Sequence, residues 1–412
     1  MKNILLFTLF VTLVACSGQG NPQTRSGNVD PGNKVLLVSF DGFSAQYLDK
    51  TNTPNFDALV KNGIISEGLV PVFPSKTFPN YYAIATGLYP ENNGFVGNNM
   101  YDPEMDEHYA IRDRDAVEDP RWYEGEPIWN TVEKQGKKAG TMFWVGSEAP
   151  VQNMRPTFWK KYDGSIPDSA RIDTVIKWMS LDNESEIDLG TLYFSFTDTQ
   201  GHRYGPASVE VVKAIQRADE LMGYLLQRLR EEHLMEQTNL IVVSDHGMQE
   251  VSRDKIVVLD DYINPEDVEM IAYSPAVMMN AKADKLEDVY QALKKHENHY
   301  RVYKKQEIPE RFHLKNHQRV PQLLMVADPG YTINTQDFFD SRPDYPSGGT
   351  HGFDNNSPQM HALFVAHGPD LASGLRIEEL ENIHLYLLMT ELLGVNPASN
   401  DGNWKKISKL IR

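Results

Sequence analysis

At 412 residues, with 41% hydrophobic and 10% aromatic side chains, the chain carries enough apolar material for a large buried core and too much to be disordered. Its formal net charge of -17 excludes broad binding to polyanions, because affinity for a nucleic-acid backbone comes mainly from Lys and Arg displacing counterions, so no stable nucleic-acid partner is expected. Any chemistry on phosphate must then be local and metal-assisted.

The N-terminus reads as an address. Lys2, the apolar run from Ile4 to Val14 and the sequence Leu13-Val14-Ala15-Cys16 resemble a bacterial lipoprotein signal. Cys16 is the sole cysteine, so it has no partner for an intrachain disulfide and is placed for lipidation after cleavage. Residues 1–15 are read as the signal, and the acylated Cys16 as the link to a lipid membrane in an exported, periplasm-facing protein. The apolar run is too short to span a bilayer comfortably, although a plain signal peptide or a transmembrane anchor stays open. Residues 16–33, rich in Gly, Ser, Asn, Pro and Gln, read as a flexible tether, and the domain as residues 34–412.

β-rich apolar runs at Lys34 to Phe40, Thr191 to Phe196, Asn239 to Ser244 and His361 to Ala366 alternate with amphipathic helical stretches, which predicts an α/β fold. Thr53-Pro54 opens a short helix with Phe56, Leu59 and Val60 on its apolar face and Gly63 past its end. Ile215, Ala218, Met222, Leu225 and Leu229 step by three and four residues, a core-facing stripe and not a cofactor box. A further helix is predicted around Ile377 to Leu393, closing near Gly394. From about Val257 to Asp344 the chain turns more charged, with Lys294-Lys295, Lys304-Lys305 and Arg311, and reads as a smaller, more solvated inserted lobe.

Three strand-like runs end in carboxylates: Asp41, Asp198 and Asp245, the last followed by His246. In open α/β sheets ligands bind beyond the carboxyl ends of strands, so these acids can converge although far apart in sequence. Asp198 and His202, four residues apart, face one side of a helical turn and can clamp one ion, with His351 in a glycine-rich loop as a third ligand. Asp245 and His246 can serve a second ion if the backbone turns sharply at Gly247. Mixed Asp and His donors suit zinc, and less readily manganese or iron. Thr77 stands in the compact loop Pro74-Ser75-Lys76-Thr77-Phe78-Pro79-Asn80; its hydroxyl is a poor nucleophile without a base or metal, and a helix-capping role is the plain alternative.

With Phe40-Asp41-Gly42, Lys76-Thr77-Phe78-Pro79-Asn80, Asn92-Asn93-Gly94, Gly97-Asn98-Asn99, Phe143-Trp144, Asp198 to His202, Gly205-Pro206, Ser244 to Met248 and Thr350-His351-Gly352, the chain resembles the nucleotide pyrophosphatase/phosphodiesterase family of the alkaline phosphatase superfamily. The resemblance implies an alkaline-phosphatase-like sandwich, a central mostly parallel sheet flanked by helices, with the inserted lobe. It implies two zinc ions per chain, one on Asp198, His202 and His351, the other on Asp41, Thr77, Asp245 and His246. Thr77 would attack phosphorus in line, giving a covalent phosphothreonine that water resolves to a nucleoside 5′-monophosphate, while Asn98 donates to a non-bridging oxygen.

The resemblance also casts Phe78 and Tyr162 as a nucleobase sandwich with Trp144 walling the pocket, though each is an ordinary core aromatic on its own account. Val145 stands where the family pattern has proline, which puts substrate selectivity in question. No Lys/Arg pair is evident beside the site, which favours diesters; the alternative is a superfamily hydrolase of phosphomonoesters, phosphonates or choline phosphodiesters.

Overall fold

Lys34–Phe40 is buried at every position, and its side chains alternate between two cores: Val35 and Leu37 enter one, Leu36, Val38 and Phe40 the other. A strand covered on both faces reads as a continuous apolar run and belongs at the centre of a sheet with helices on either side. The computed structural model describes residues 29–182 and 185–412, so the signal, Cys16 and most of the tether lie outside the described residues. In chain order the strands of the two larger sheets are β1 (Lys34–Phe40), β2 (Ile64–Ser66), β3 (Ala139–Met142), β4 (Phe158–Lys160), β5 (Leu189–Phe194), β6 (Thr238–Val243), β7 (Val268–Ala272), β8 (Ala276–Ala281), β9 (Tyr300–Lys304), β10 (Leu323–Ala327), β11 (Phe364–His367) and β12 (Leu375–Ile377).

Eight of them form the main sheet in the order β12-β2-β11-β6-β1-β5-β3-β4, parallel throughout except where β11 meets β6 and β2. The four predicted strands are all present, Lys34–Phe40 with the expected bounds and the other three with shifted ends. Phe196 opens a helix instead of closing β5, and β11 starts at Phe364 instead of His361.

Helix α1 (Pro54–Asn62) carries Pro54 at its first position and buries Phe56 and Leu59, as predicted. The stripe from Ile215 to Leu229 lies along the long helix Val209–Glu231, whose buried face packs on the sheet and whose first turn is capped by Ser208. Asp219 on that helix accepts from the Asn55 and Phe56 amides, both at 2.9 Å, and so fixes the start of α1. The helix predicted from Ile377 spans only His384–Leu392. Leu375–Ile377 pairs instead with Ile64–Ser66, and Leu380 with Leu69, because backbone pairing along an open sheet edge outweighs a weak helical period.

Between Val257 and Asp344 lies a second, antiparallel sheet in the order β7-β8-β10-β9, with helix Leu286–Lys295 against it. It is less solvated than its charges suggest. In β8, Ala276 and Met278 face an aromatic cluster containing Phe73, Tyr82 and Phe95, while Val277 and Met279 face the helix side. Arg319 fastens this region to the main domain, with side-chain exposure of 3% against 2% for its ion-pair partner Asp102 at 2.7 Å, and it also donates to the carbonyls of Gly94 and Trp122. At the other end, Asn33 of the predicted tether donates to Asp370 at 2.9 Å, and Asp30 does so through its amide at 3.0 Å.

Candidate active site

β1, β5 and β6 lie side by side, and the residues following their carboxyl ends meet. Asp41 follows β1, Asp245 and His246 follow β6, and Asp198 with His202 project from helix Phe196–Tyr204 after β5. The approach is close: a Cβ on Gly42, whose φ is +64°, would lie 2.9 Å from the Cα of Asp198, so only glycine lets the two segments touch. At Gly247 a Cβ would collide with the Gln359 carbonyl, and the turn made there lets Asp245 and His246 converge instead of diverging.

The three histidines share one arrangement. The Nδ1 of His202 pairs with the Gly349 carbonyl at 2.8 Å, that of His246 with Gly247 at 2.9 Å and that of His351 with Ser75 at 2.9 Å. A carbonyl can only accept, so Nδ1 donates in each and Nε2 is the ring nitrogen turned to the cleft. The Nε2 atoms face carboxylates. His246 Nε2 lies 2.9 Å from Asp245 Oδ2 and 3.6 Å from Asp41 Oδ1, and Asp198 Oδ1 lies 3.2 Å from His202 Nε2 and 3.8 Å from His351 Nε2.

The carboxylates are oriented to match. Asp41 accepts from the Tyr193 hydroxyl at 2.6 Å through Oδ2, and Asp245 from the Gly42 amide at 3.1 Å through Oδ1. The remaining oxygens, Asp41 Oδ1, Asp198 Oδ1 and Asp245 Oδ2, are buried without a hydrogen-bond partner. Burial, then the charges of Asp245 and Asp198, push the Asp41 carboxyl well above its ordinary range. Burial likewise pushes His351 well below its own, toward the neutral ligand form. Buried carboxylate oxygens without hydrogen-bond partners, set opposite imidazole nitrogens, are costly to leave bare and are the donor set a metal ion takes, so these residues fit metal ions.

The ligand atoms of Asp41, Asp245 and His246 lie within 4.8 Å of one another, and so do those of Asp198, His246 and His351. His246 is common to both groups and stands in the second where the resemblance implies His202, which reaches Asp198 from outside that group; the His246 ring stacks on His351 at 3.4 Å between centroids.

Thr77 departs from its expected setting in a loop. It is the first residue of helix Thr77–Thr86, which Pro79 tolerates because amides of a first turn have no intrahelical partner. Its Oγ1 lies 3.4 Å from His246 Nε2. Asn98 Oδ1 accepts from the Phe78 amide at 3.0 Å, which turns its Nδ2 donors away from the helix.

Phe78, Trp144 and Tyr162 line one cavity of about 270 Å³ together with Thr77, Asp41 and Asp198. Tyr162 is 42% exposed, whereas Trp144 is buried with its Nε1 donating to the Tyr81 carbonyl at 3.0 Å, so its ring serves the core as much as the cavity. Val145 lines the same wall.

Residues 35–354 match the type I phosphodiesterase / nucleotide pyrophosphatase family. The chain belongs to this family. It is 36% identical to human ectonucleotide pyrophosphatase/phosphodiesterase family member 1 over 96% of this chain and 44% of that protein, and 36% identical to venom phosphodiesterase CdcPDE of Crotalus durissus collilineatus over 96% of this chain and 48% of that protein. It therefore spans about half the length of these curated relatives. Murine ectonucleotide pyrophosphatase/phosphodiesterase 5 superposes with a TM-score of 0.88 at 35% identity, covering 92% of this chain and 100% of that one. An inactive threonine-to-alanine form of that protein in complex with AMP matches with the same coverage and TM-score.

Sequence reasoning missed several residues of this family member's site. Tyr193 orients Asp41, and Arg114 and Glu148 form an ion pair in the wall of the aromatic cavity. Lys76 and Arg112 line a second cavity, which Asn98 also lines and which does not hold the Thr77 hydroxyl. Lys76 donates to the Ser274 carbonyl at 3.2 Å, and burial brings its amine down to about 8. Only the adjacency of Lys76 to Thr77 hinted at this; Arg112 carried no sequence signal.

Proposed function

We propose that this chain is a metal-dependent hydrolase of nucleotide phosphodiester and pyrophosphate bonds that works through Thr77 and releases nucleoside 5′-monophosphates. One observation carries the reading: three bare carboxylate oxygens and three imidazole Nε2 atoms converge in a cleft whose edge holds the Thr77 hydroxyl. Three acids, three imidazoles and a hydroxyl suit two zinc ions, with Asp41, Thr77, Asp245 and His246 holding one and Asp198, His202 and His351 the other. When bound, such ions supply Lewis-acid neutralisation of phosphate charge and lower the pKa of hydroxyl groups they touch.

The residues divide the remaining work. Thr77 Oγ1 forms the new bond to phosphorus as the bond to the leaving oxygen breaks, leaving the nucleotide esterified to Thr77. Water then cleaves that ester from the opposite side, restoring the hydroxyl and freeing the 5′-monophosphate. Asn98, fixed by the Phe78 amide, presents Nδ2 to a non-bridging oxygen as charge develops there. Phe78 and Tyr162 offer faces for a base within the cavity that also holds Thr77. The AMP bound by the murine relative supports a nucleotide in this place. The lipoprotein reading of residues 1–16 would tether this activity to a membrane at the periplasmic face.

The test is a panel on purified, zinc-loaded protein: a nucleoside triphosphate, a dinucleotide, a phosphomonoester and a choline phosphodiester, compared by kcat/KM alongside metal content by elemental analysis. The nucleotides should lead by at least tenfold with two zinc ions per chain. A lead for the monoester or the choline ester would replace this reading with the superfamily alternative.

A further inference from the structure

We infer that the second cavity, on the far side of Asn98 from the aromatic pocket, is a subsite for the leaving half of the substrate, and that it takes a phosphate chain ending in a second nucleoside. The inference rests on the functional reading above.

Two cavities flank the start of helix Thr77–Thr86. Thr77, Phe78 and Tyr162 line the first, while Lys76, Asn98, Arg112 and Tyr273 line the second, of about 350 Å³; Ile111 is common to both and forms the ridge between them. A phosphorus centre attacked by Thr77 while its base lies in the first cavity must send its other substituent elsewhere, and the second cavity is the opening next to it.

Its chemistry fits a polyanion with an aromatic end. The lining holds Lys76 and Arg112 and no carboxylate, in a chain whose net charge is -17. Arg112 is exposed and has no ion-pair or hydrogen-bond partner among the described residues, so its guanidinium is free to take a phosphate in its bidentate fork. The first cavity differs: its Arg114 is already bound to Glu148. Tyr273 is 53% exposed, one of four large hydrophobic residues exposed among those described, and Tyr162 in the first cavity is another. Each cavity therefore has one open tyrosine, and a free ring beside an unpaired guanidinium is the combination that stacks a base and holds its phosphate. Tyr273 and Ser274 join β7 to β8, so the second sheet supplies this wall and thereby acquires a role in selectivity.

The experiment compares Tyr273→Ala, Tyr273→Phe and Arg112→Gln with the parent enzyme on two substrates that yield the same monophosphate, a dinucleoside triphosphate and a p-nitrophenyl nucleotide ester. Tyr273→Ala should lower kcat/KM on the dinucleoside substrate about tenfold and change the p-nitrophenyl ester less than twofold, while Tyr273→Phe keeps the parent values. Arg112→Gln should lower the dinucleoside substrate and a nucleoside triphosphate alike and spare the p-nitrophenyl ester. A second arm needs no turnover: in a zinc-loaded Thr77→Ala background, Tyr273→Ala should weaken calorimetric binding of the dinucleoside triphosphate at least fivefold and that of AMP less than twofold. Equal effects on both ligands, or none, overturn the subsite. Failure of the parent to cleave either substrate overturns the functional reading, and the binding arm still decides the subsite.

Discussion

His246 turns its Nε2 to within 2.9 Å of Asp245 Oδ2 while its Nδ1 is committed to the Gly247 carbonyl, so a nitrogen and an oxygen donor are held ready for one cation. Metal removal should therefore cost stability as well as activity. An ion at a hundred times its dissociation constant adds about 2.7 kcal/mol, so a chelator should lower Tm by several degrees and zinc should restore it. Asp245→Asn should shrink that zinc-dependent rise while leaving the metal-free protein at least as stable as metal-free wild type, because the Asp245 charge is one of those crowding Asp41. Scanning calorimetry with and without chelator checks both; a Tm indifferent to chelator would refute the metal site.

Thr77→Ala should lower kcat by at least about a thousandfold with zinc content and Tm close to wild type, since removing a nucleophile takes away the bond-forming atom and little packing. Quenched reactions should show label on wild-type protein and none on the variant.

Phe78→Ala should raise KM for a nucleotide substrate about tenfold and that for a small aromatic diester far less, because only the former presents a base to the cavity lined by Phe78 and Tyr162. Steady-state kinetics on the two substrates distinguishes loss of stacking from general damage, which would move both together.

Arg319→Leu should destabilise the fold by about 3–5 kcal/mol in urea melts, because it strands a buried Asp102 carboxylate and the carbonyls of Gly94, Arg121 and Trp122. Burial pushes Asp102 up, but the Arg319 guanidinium and the Glu104 and Met105 amides outweigh it and hold the carboxyl below its ordinary 3.8. A carboxyl lowered by folding contributes stability that is complete above its unfolded value and fades as pH falls toward the folded one. The gap between wild type and variant should thus be widest near neutrality and shrink below about pH 4.

Cys16→Ser should move the protein from the membrane fraction to the soluble one, because the lone cysteine is the proposed point of acylation. Fractionation followed by immunoblotting reads the outcome; unchanged membrane association would exclude lipidation as the anchor.

Asp41, Asp198, Asp245 and His246 were legible because they follow runs of β-rich apolar residues, and such runs in an α/β chain have one place to go, the middle of the sheet with their carboxyl ends aligned; His202 and His351 were legible by their spacing and glycine-rich setting. Thr77 was legible only through the family motif, and its position as the first residue of a helix was hidden by the two prolines around it. The second cavity was illegible because its walls come from four separate stretches, around Lys76, Asn98, Arg112 and Tyr273, which no local periodicity connects. Tyr193 gave no signal either: within a strand it reads as one more apolar residue, and its hydroxyl gains a purpose only from Asp41 on the neighbouring strand. Ile377 failed in the opposite way, since a helical period was visible there and an open sheet edge claimed the segment first.

The place of β1 in the main sheet sets the order in which this molecule can be assembled. Val35 pairs with Leu189 on one side and with Asn239 on the other, so this early strand must wait for neighbours more than 150 residues further along the chain. The amino-terminal third has no finished sheet to join, and Asp41 acquires its company only once the chain through Asp245 has emerged. Closure of such distant pairings is slow, and until then a largely apolar strand waits uncovered, which makes the nascent chain a natural client for holding factors along its route.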